Sequence, residues 1–115
     1  MTFGSVTTEF DGGYGHVILT YYDGTKSRFD NDDIQNDLNG TTHSNVVSVE
    51  IYIESGMPRG VSWHATINRT LGQYEYSGFI YQGGTYITNT ACPVDVFLYP
   101  EEDLVITVLY LSAYD

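Results

Sequence analysis

Apolar and polar residues alternate along much of the chain with a period of two, which is typical of a strand that has one buried face. In residues 46–53 the odd-numbered positions are all valine or isoleucine, and Ser48, Glu50 and Tyr52 stand between them. Residues 104–111 are apolar at nearly every position and rich in β-branched side chains. That pattern predicts a central strand covered on both faces.

Short turn signals separate these segments. Asp23-Gly24 lies between the strand-like residues 16–22 and 25–29, and predicts a tight hairpin in which both turn residues have positive φ. Gly83-Gly84 predicts a second hairpin between residues 74–81 and 85–88. The polar residues 100–103 predict a third, pairing residues 94–99 with residues 104–111. Gly12-Gly13 separates the first strand from the second.

Residues 30–40 do not alternate. Ile34 and Leu38 are four residues apart, as on one face of a helix, and acidic residues precede Ile34. Asn39-Gly40 is a typical helix end. The segment predicts one short helix over residues 31–38.

Together these patterns predict an all-β protein. The 115 residues have the length of one domain. We expect a single domain over residues 1–115, built as one antiparallel β-sandwich or flattened small barrel of about eight strands with one helix.

The composition excludes several classes of protein. Four basic and fifteen acidic residues give a net charge of −11, which disfavours direct nucleic-acid binding. Aromatic residues make up 15% of the chain, unlike a disordered acidic tail. Cys92 is the single cysteine, so no disulfide scaffold is expected. No apolar run is long enough for a transmembrane helix, so we expect no membrane association.

The first residues contain no basic segment followed by an apolar one, which a secretory signal requires. We therefore expect a cytoplasmic protein. The alternative is a secreted protein whose signal is absent from this sequence.

The candidate binding residues are acidic and aromatic. Eleven tyrosines exceed what a core of this size can hold, and tyrosine and tryptophan are favoured in contact surfaces. Tyr74 and Tyr76 share one face of a strand, and Trp63 is expected on a neighbouring strand. The predicted partner-binding residues are Asp30, Asp32, Asp33, Asp37, Trp63, Tyr74, Tyr76 and Tyr81.

Candidate chemistry is sparse. Asp30-Asn31-Asp32-Asp33 offers oxygen ligands, but lacks the glycine and glutamate spacing of an EF-hand loop, and no metal site or cofactor is predicted. Glu50 and Glu75 lie within strands, and would be the acid–base pair of a small hydrolase. Cys92 precedes a proline and reads as a small buried thiol.

The leading hypothesis is a non-enzymatic acidic inhibitor or decoy, of the anti-defence or immunity type. It would bind a basic protein, such as a nuclease or a nucleic-acid-binding effector, and mimic nucleic acid. One alternative is a lectin-like or calcium-assisted carbohydrate-binding module. The other is the small hydrolase. A monomer and a homodimer both stay open.

Overall fold

The computed structural model describes residues 1–54, 61–70, 73–82, 85–88, 94–97 and 105–114. Its side chains are described for residues 1–54, for 64 and 66–68 in the fifth strand, and for 105, 106 and 108–111 in the last strand. The elements are β1 (Thr2–Asp11), β2 (Tyr14–Tyr21), β3 (Lys26–Asp30), α1 (Asp32–Leu38), β4 (Val46–Glu54), β5 (Val61–Thr70), β6 (Gln73–Gln82), β7 (Thr85–Thr88), β8 (Val94–Phe97) and β9 (Val105–Tyr114).

The described residues are mostly strand, with one short helix, and they form two sheets. The larger sheet has six strands in the order β3-β2-β4-β5-β6-β7, and all of its neighbours are antiparallel. The smaller sheet has the order β1-β9-β8. The all-β prediction is therefore confirmed, as is the short helix.

The predicted hairpin pairings are confirmed: β2 with β3, β6 with β7, and β8 with β9 are each antiparallel neighbours. Residues 83–84 and 98–104, which include two of the predicted turns, lie outside the described residues. The turn between β2 and β3 differs from the prediction, because Gly24 has a φ of 87° but Asp23 does not have positive φ. Gly24 N–H donates to Tyr21 O at 2.9 Å. Gly24 is therefore the last residue of a tight turn whose two central residues are Tyr22 and Asp23.

The expectation of a wholly antiparallel fold is wrong for one pair. β1 runs parallel to β9, in a register that extends from Thr2 opposite Val105 to Asp11 opposite Tyr114. Apolar alternation indicates which residues share a face, but it is the same for either strand direction, so the sequence pattern does not reveal a parallel pair.

β9 is the central strand of its sheet, as predicted, but its expected cover on both faces is wrong. Ile106, Leu109 and Leu111 are fully buried, whereas Val108 is 40% and Tyr110 39% exposed. One face of the small sheet is therefore partly open to solvent.

One cluster of buried side chains joins both sheets and the helix. Ile34 and Leu38 of α1 are fully buried in it, as their spacing predicts. In β4 the predicted alternation holds from Val49 onward. Before it, a register irregularity near Val47 leaves Val46 buried in place of Val47. The cluster contains Met1, Phe3, Val6, Val17, Leu19, Ile34, Leu38, Val46, Val49, Ile51, Ile53, Ile67, Ile106, Leu109 and Leu111.

Side chains of α1 and its C-cap occupy the edge of β1 that faces away from β9. Asn39 Oδ1 accepts a hydrogen bond from Val6 N–H at 2.8 Å, and Gln35 Oε1 accepts one from Thr8 N–H at 2.9 Å. An unpaired strand edge is a template for association with another chain. Two of the edge donors are instead satisfied within the molecule.

The segment after α1 continues along the same edge. Phe3 N–H donates to Thr41 O at 2.8 Å, and His43 N–H donates to Met1 O at 2.8 Å. The His43 ring contacts Phe3 edge to face, with ring centroids 5.9 Å apart. Burial lowers the pKa of His43, and the nearby N-terminal ammonium lowers it further. The neutral His43 imidazole therefore covers this side of the core.

We expect Gln35→Ala and Asn39→Ala each to lower the free energy of unfolding by about 1 kcal/mol, because each leaves a strand N–H without its acceptor. Chemical denaturation of the purified variants measures the change. Asn36→Ala is the matched control, since Asn36 is an exposed residue of the same helix, and its effect should stay within about 0.5 kcal/mol. Equal effects of all three substitutions would contradict the edge-capping role.

Candidate binding surface

The six-stranded sheet has one buried face and one open face. In β2, Val17 and Leu19 are fully buried, whereas His16 and Ile18, which alternate with them, are partly exposed. β4 continues the pattern, with Ile51 buried and Tyr52 half-buried. Below, the open face means the face formed by the residues in register with His16 and Tyr52.

Three rings on neighbouring strands contact one another across the open face. The register places His16 of β2 opposite Tyr52 of β4, and Tyr52 opposite His64 of β5. The His16 and Tyr52 rings are nearly parallel, with an interplanar angle of 13° and centroids 5.0 Å apart. The Tyr52 and His64 rings are tilted by 57°, with centroids 4.0 Å apart. We call His16, Tyr52 and His64 the aromatic row.

A carboxylate holds the central ring of this arrangement. Glu54 Oε2 accepts a hydrogen bond from Tyr52 Oη at 2.8 Å and another from Tyr14 Oη. The Tyr14 ring stacks on Tyr52 with centroids 6.0 Å apart. The hydrogen bond from Tyr14, followed by that from Tyr52, lowers the pKa of Glu54, and the bond to Glu54 raises the pKa of Tyr14. At neutral pH the site therefore holds a charged Glu54 carboxylate and a protonated Tyr14 phenol.

Both histidines of the aromatic row are neutral at pH 7. Burial is the main cause that lowers the pKa of His16, and the Arg28 charge adds to it, while Asp30 and Glu50 oppose the shift. Burial also lowers the pKa of His64, with a further contribution from His16. His16 Nδ1 is buried and makes no hydrogen bond to the described residues.

A shallow hollow of about 230 Å³ opens over the aromatic row. Glu50 is exposed and, unlike Glu54, makes no hydrogen bond or ion pair with the described part of the chain. The hollow thus combines aromatic surface with negative charge. It is lined by His16, Ile18, Glu50, Ile51, Tyr52, His64 and Thr66.

A second hollow, of about 460 Å³, lies between the β2–β3 turn and the start of β4. Tyr22 is 57% exposed there, and Tyr22 N–H donates to Asn45 O at 2.9 Å. Asp23 accepts bonds from Thr25 N–H and Thr25 Oγ1, which lower its pKa. Its lining is rich in hydroxyl and amide groups: Tyr21, Tyr22, Asp23, Thr25, Ser27, Ser44 and Asn45.

The four aspartates predicted to bind a partner are all exposed. Asp30 lies opposite His16 in the register, so it adjoins the aromatic row, and its Oδ1 accepts a bond from Arg28 Nε at 3.0 Å. The other three belong to α1, and no cation of the described residues forms an ion pair with them. The structure thus brings Asp30 close to a site that the sequence did not indicate. The three aspartates of α1 are Asp32, Asp33 and Asp37.

The predicted aromatic anchors can be placed only by their backbone. The register aligns Trp63 with Ile53, Tyr76 with Ile67 and Tyr81 with Ser62. Tyr74 is two residues before Tyr76 in β6, opposite Arg69. The side chains of these four aromatic residues lie outside the described part of the chain, so their role as anchors stays a prediction.

The metal and acid–base hypotheses can be examined only among the described residues. Among the described residues, no group of three or more His, Cys, Asp or Glu side chains is arranged to hold a metal ion. Within the Asp30–Asp33 cluster, Asn31 Oδ1 accepts a hydrogen bond from Gly15 N–H at 3.0 Å, so the Asn31 side chain has a structural role. Glu50 lies opposite Thr66, and Glu75 opposite Asn68. The Glu75 side chain and all of Cys92 lie outside the described residues.

The aromatic row is not predicted by the sequence patterns. His16 and His64 each occupy a polar position of an alternating strand, which was the available signal. Nothing in the local sequence shows that these positions and Tyr52 fall in one line across three strands, because that depends on the register.

We expect the pKa values of His16, His43 and His64 to lie below 6.5, their ordinary value. Since the unfolded chain then binds protons more readily, their contribution to stability is complete above pH 6.5 and is lost as the pH falls through the lowered values. NMR titration of the imidazole protons measures each pKa directly. Values at or above 6.5, the value expected of the urea-unfolded protein, would contradict the burial of these rings.

Comparison with known proteins finds no similar protein. No family model matches the chain, and neither a curated protein nor a solved structure shows significant similarity to it. Within the described residues, no helix is long and apolar enough to cross a membrane.

Proposed function

We propose that this protein is a non-enzymatic acidic inhibitor or decoy, which binds a basic protein and blocks the surface that the basic protein uses for nucleic acid. The observation that carries the proposal is the exposure of the α1 aspartates without a compensating cation among the described residues. A carboxylate that is not neutralised within its own chain is available to lysine or arginine of a partner.

The charge distribution supports this function. Residues 1–54 hold nine acidic and two basic side chains, a net charge of −7. One of the two cations, Arg28, is paired with Asp30. An acidic surface of this kind competes with phosphates for basic residues, and steers association at a rate that depends on salt.

The fold would serve as the support for this surface. We take the two sheets to face each other as a sandwich, since one buried cluster draws side chains from both. α1 would then be held rigidly by Ile34 and Leu38 while its aspartates face the partner. A partner that binds nucleic acid also favours a cytoplasmic location.

We expect replacement of Asp32 and Asp33 by asparagine to weaken binding to the basic partner by about tenfold or more, because two charge pairs are lost. The partner is first captured from host lysate at low salt and purified. Its affinity for the wild-type protein should fall steeply with salt, since the Debye length shrinks from about 10 Å at 0.1 M to about 3 Å at 1 M.

The matched control is the double variant Glu9→Gln with Asp11→Asn, which removes the same charge from exposed positions of β1. It should retain affinity within about threefold, because long-range attraction is screened. An affinity that does not change with salt, or an equal loss in both double variants, would overturn the proposal.

The second hollow favours carbohydrate binding as a second candidate function. Its hydroxyl and amide groups beside the exposed Tyr22 ring resemble the polar groups and aromatic surface that sugar rings contact.

For this second function we expect Tyr22→Ala to abolish saturable binding on a glycan array, since the ring supplies the apolar contact. Tyr110→Ala removes another exposed tyrosine, which belongs to β9 and lies outside the hollow, and is the control. Absence of glycan binding by the wild-type protein would eliminate this candidate.

A further inference from the structure

We propose that the hollow over the aromatic row binds the guanidinium group of an arginine side chain, supplied by the basic partner. This inference rests on the proposed function, because it names the chemical group that the partner would insert. The site is separate from the α1 aspartates, and the sequence patterns did not indicate it.

The aromatic row provides stacking surface at its end, because only one face of the His16 ring is turned toward Tyr52. Tyr52 lies between His16 and His64, and its hydroxyl is held by Glu54, so the ring orientation is fixed before a ligand arrives. Guanidinium stacks on aromatic faces and is attracted by the ring quadrupole. Because burial keeps both histidines neutral at pH 7, they do not repel the incoming charge.

The charged groups around the hollow favour a cation. Glu50 lines it, Glu54 is bonded to Tyr52, and Asp30 adjoins His16, so three carboxylates surround the row. The opposing charge is Arg28, whose Nε is bonded to Asp30. The local excess is two negative charges, which a single guanidinium partly neutralises.

The available acceptors suit the forked geometry of arginine better than the point charge of lysine. Glu54 accepts both tyrosine hydrogen bonds through Oε2, and its Oε1 accepts none from the described residues. Glu50 is exposed at the other side of Tyr52 along β4. Arginine presents five N–H donors in a plane, and can stack on the row while bonding to a carboxylate at its edge.

The size of the hollow also fits one side chain. Its volume of about 230 Å³ is below the range of about 300–1,000 Å³ that drug-sized ligands occupy. The hollow is therefore suited to one anchor residue within a larger protein interface, as at a binding hot spot.

The test is an NMR titration of the full chain with N-acetyl-L-arginine amide, compared with N-acetyl-L-lysine amide. The arginine probe should give saturable shifts of the His16, His64 and Tyr52 ring protons, with an affinity at least threefold above that of the lysine probe. N-acetylglucosamine, as a third probe, should leave these signals unchanged.

Two variants test the carboxylates. Glu50→Gln removes an exposed charge with no described hydrogen bond, so it should fold normally and weaken arginine binding by about threefold to tenfold. Glu54→Gln should weaken it by about threefold, because Glu54 adds negative charge beside the row but does not line the hollow. Glu9→Gln is the matched control for Glu54→Gln, because Glu9 also accepts a bond from a tyrosine, Tyr110, but lies on the other sheet, and it should change nothing.

The outcomes separate this inference from the proposed function. Equal affinity for both amino-acid probes, shifts outside the aromatic row, or no effect of Glu50→Gln would overturn the arginine site. Those results would leave the α1 contacts with a basic partner intact. Conversely, saturable arginine binding at the row would support the site even if the Asp32 and Asp33 substitutions proved harmless to partner binding.

Discussion

The register of β4 between β2 and β5 determines both the core and the candidate site. It places Ile51 opposite Val17 on the buried face, and Tyr52 opposite His16 and His64 on the open face. A shift by one residue would exchange the two faces of a strand, burying Glu50 and exposing Ile51. Hydrophobic burial therefore selects the same pairing that assembles the aromatic row.

The helix links the fold to the acidic surface. Ile34 and Leu38 anchor it in the core, and Gln35 bonds to the edge of β1. With these positions committed to packing, Asp33 and Asp37 are left on the exposed side. A helix of only seven residues has little stability alone, so the position of its exposed aspartates depends on its tertiary contacts.

The approach of β1 to the start of β2 is similarly constrained at Gly15. A Cβ atom there would lie 2.9 Å from Phe10 Cζ and 3.0 Å from Tyr52 O. Such distances are shorter than normal van der Waals contact, so any side chain would displace the Phe10 ring or the β4 backbone. Asn31 then bonds to Gly15 N–H and starts the turn into the helix.

Much of the fold could be predicted, because alternation, turn residues and the Ile34–Leu38 spacing each act locally. The parallel pairing of β1 with β9 could not, since it joins distant segments whose patterns are the same in either direction. The exposed aspartates were predictable from their polarity. The alignment of His16, Tyr52 and His64 was not, because it requires the register of three strands at once.

The central claim is that the exposed aspartates of α1 bind a basic partner, and that the open face of the large sheet receives one of its arginine side chains. Chemical-shift mapping of the ¹⁵N-labelled protein in complex with the purified partner tests it most directly. The account predicts shifts concentrated in Asp32–Leu38 and at His16, Tyr52 and His64, with β1 and β9 little changed. Shifts concentrated on β9 around Val108 and Tyr110 would contradict it.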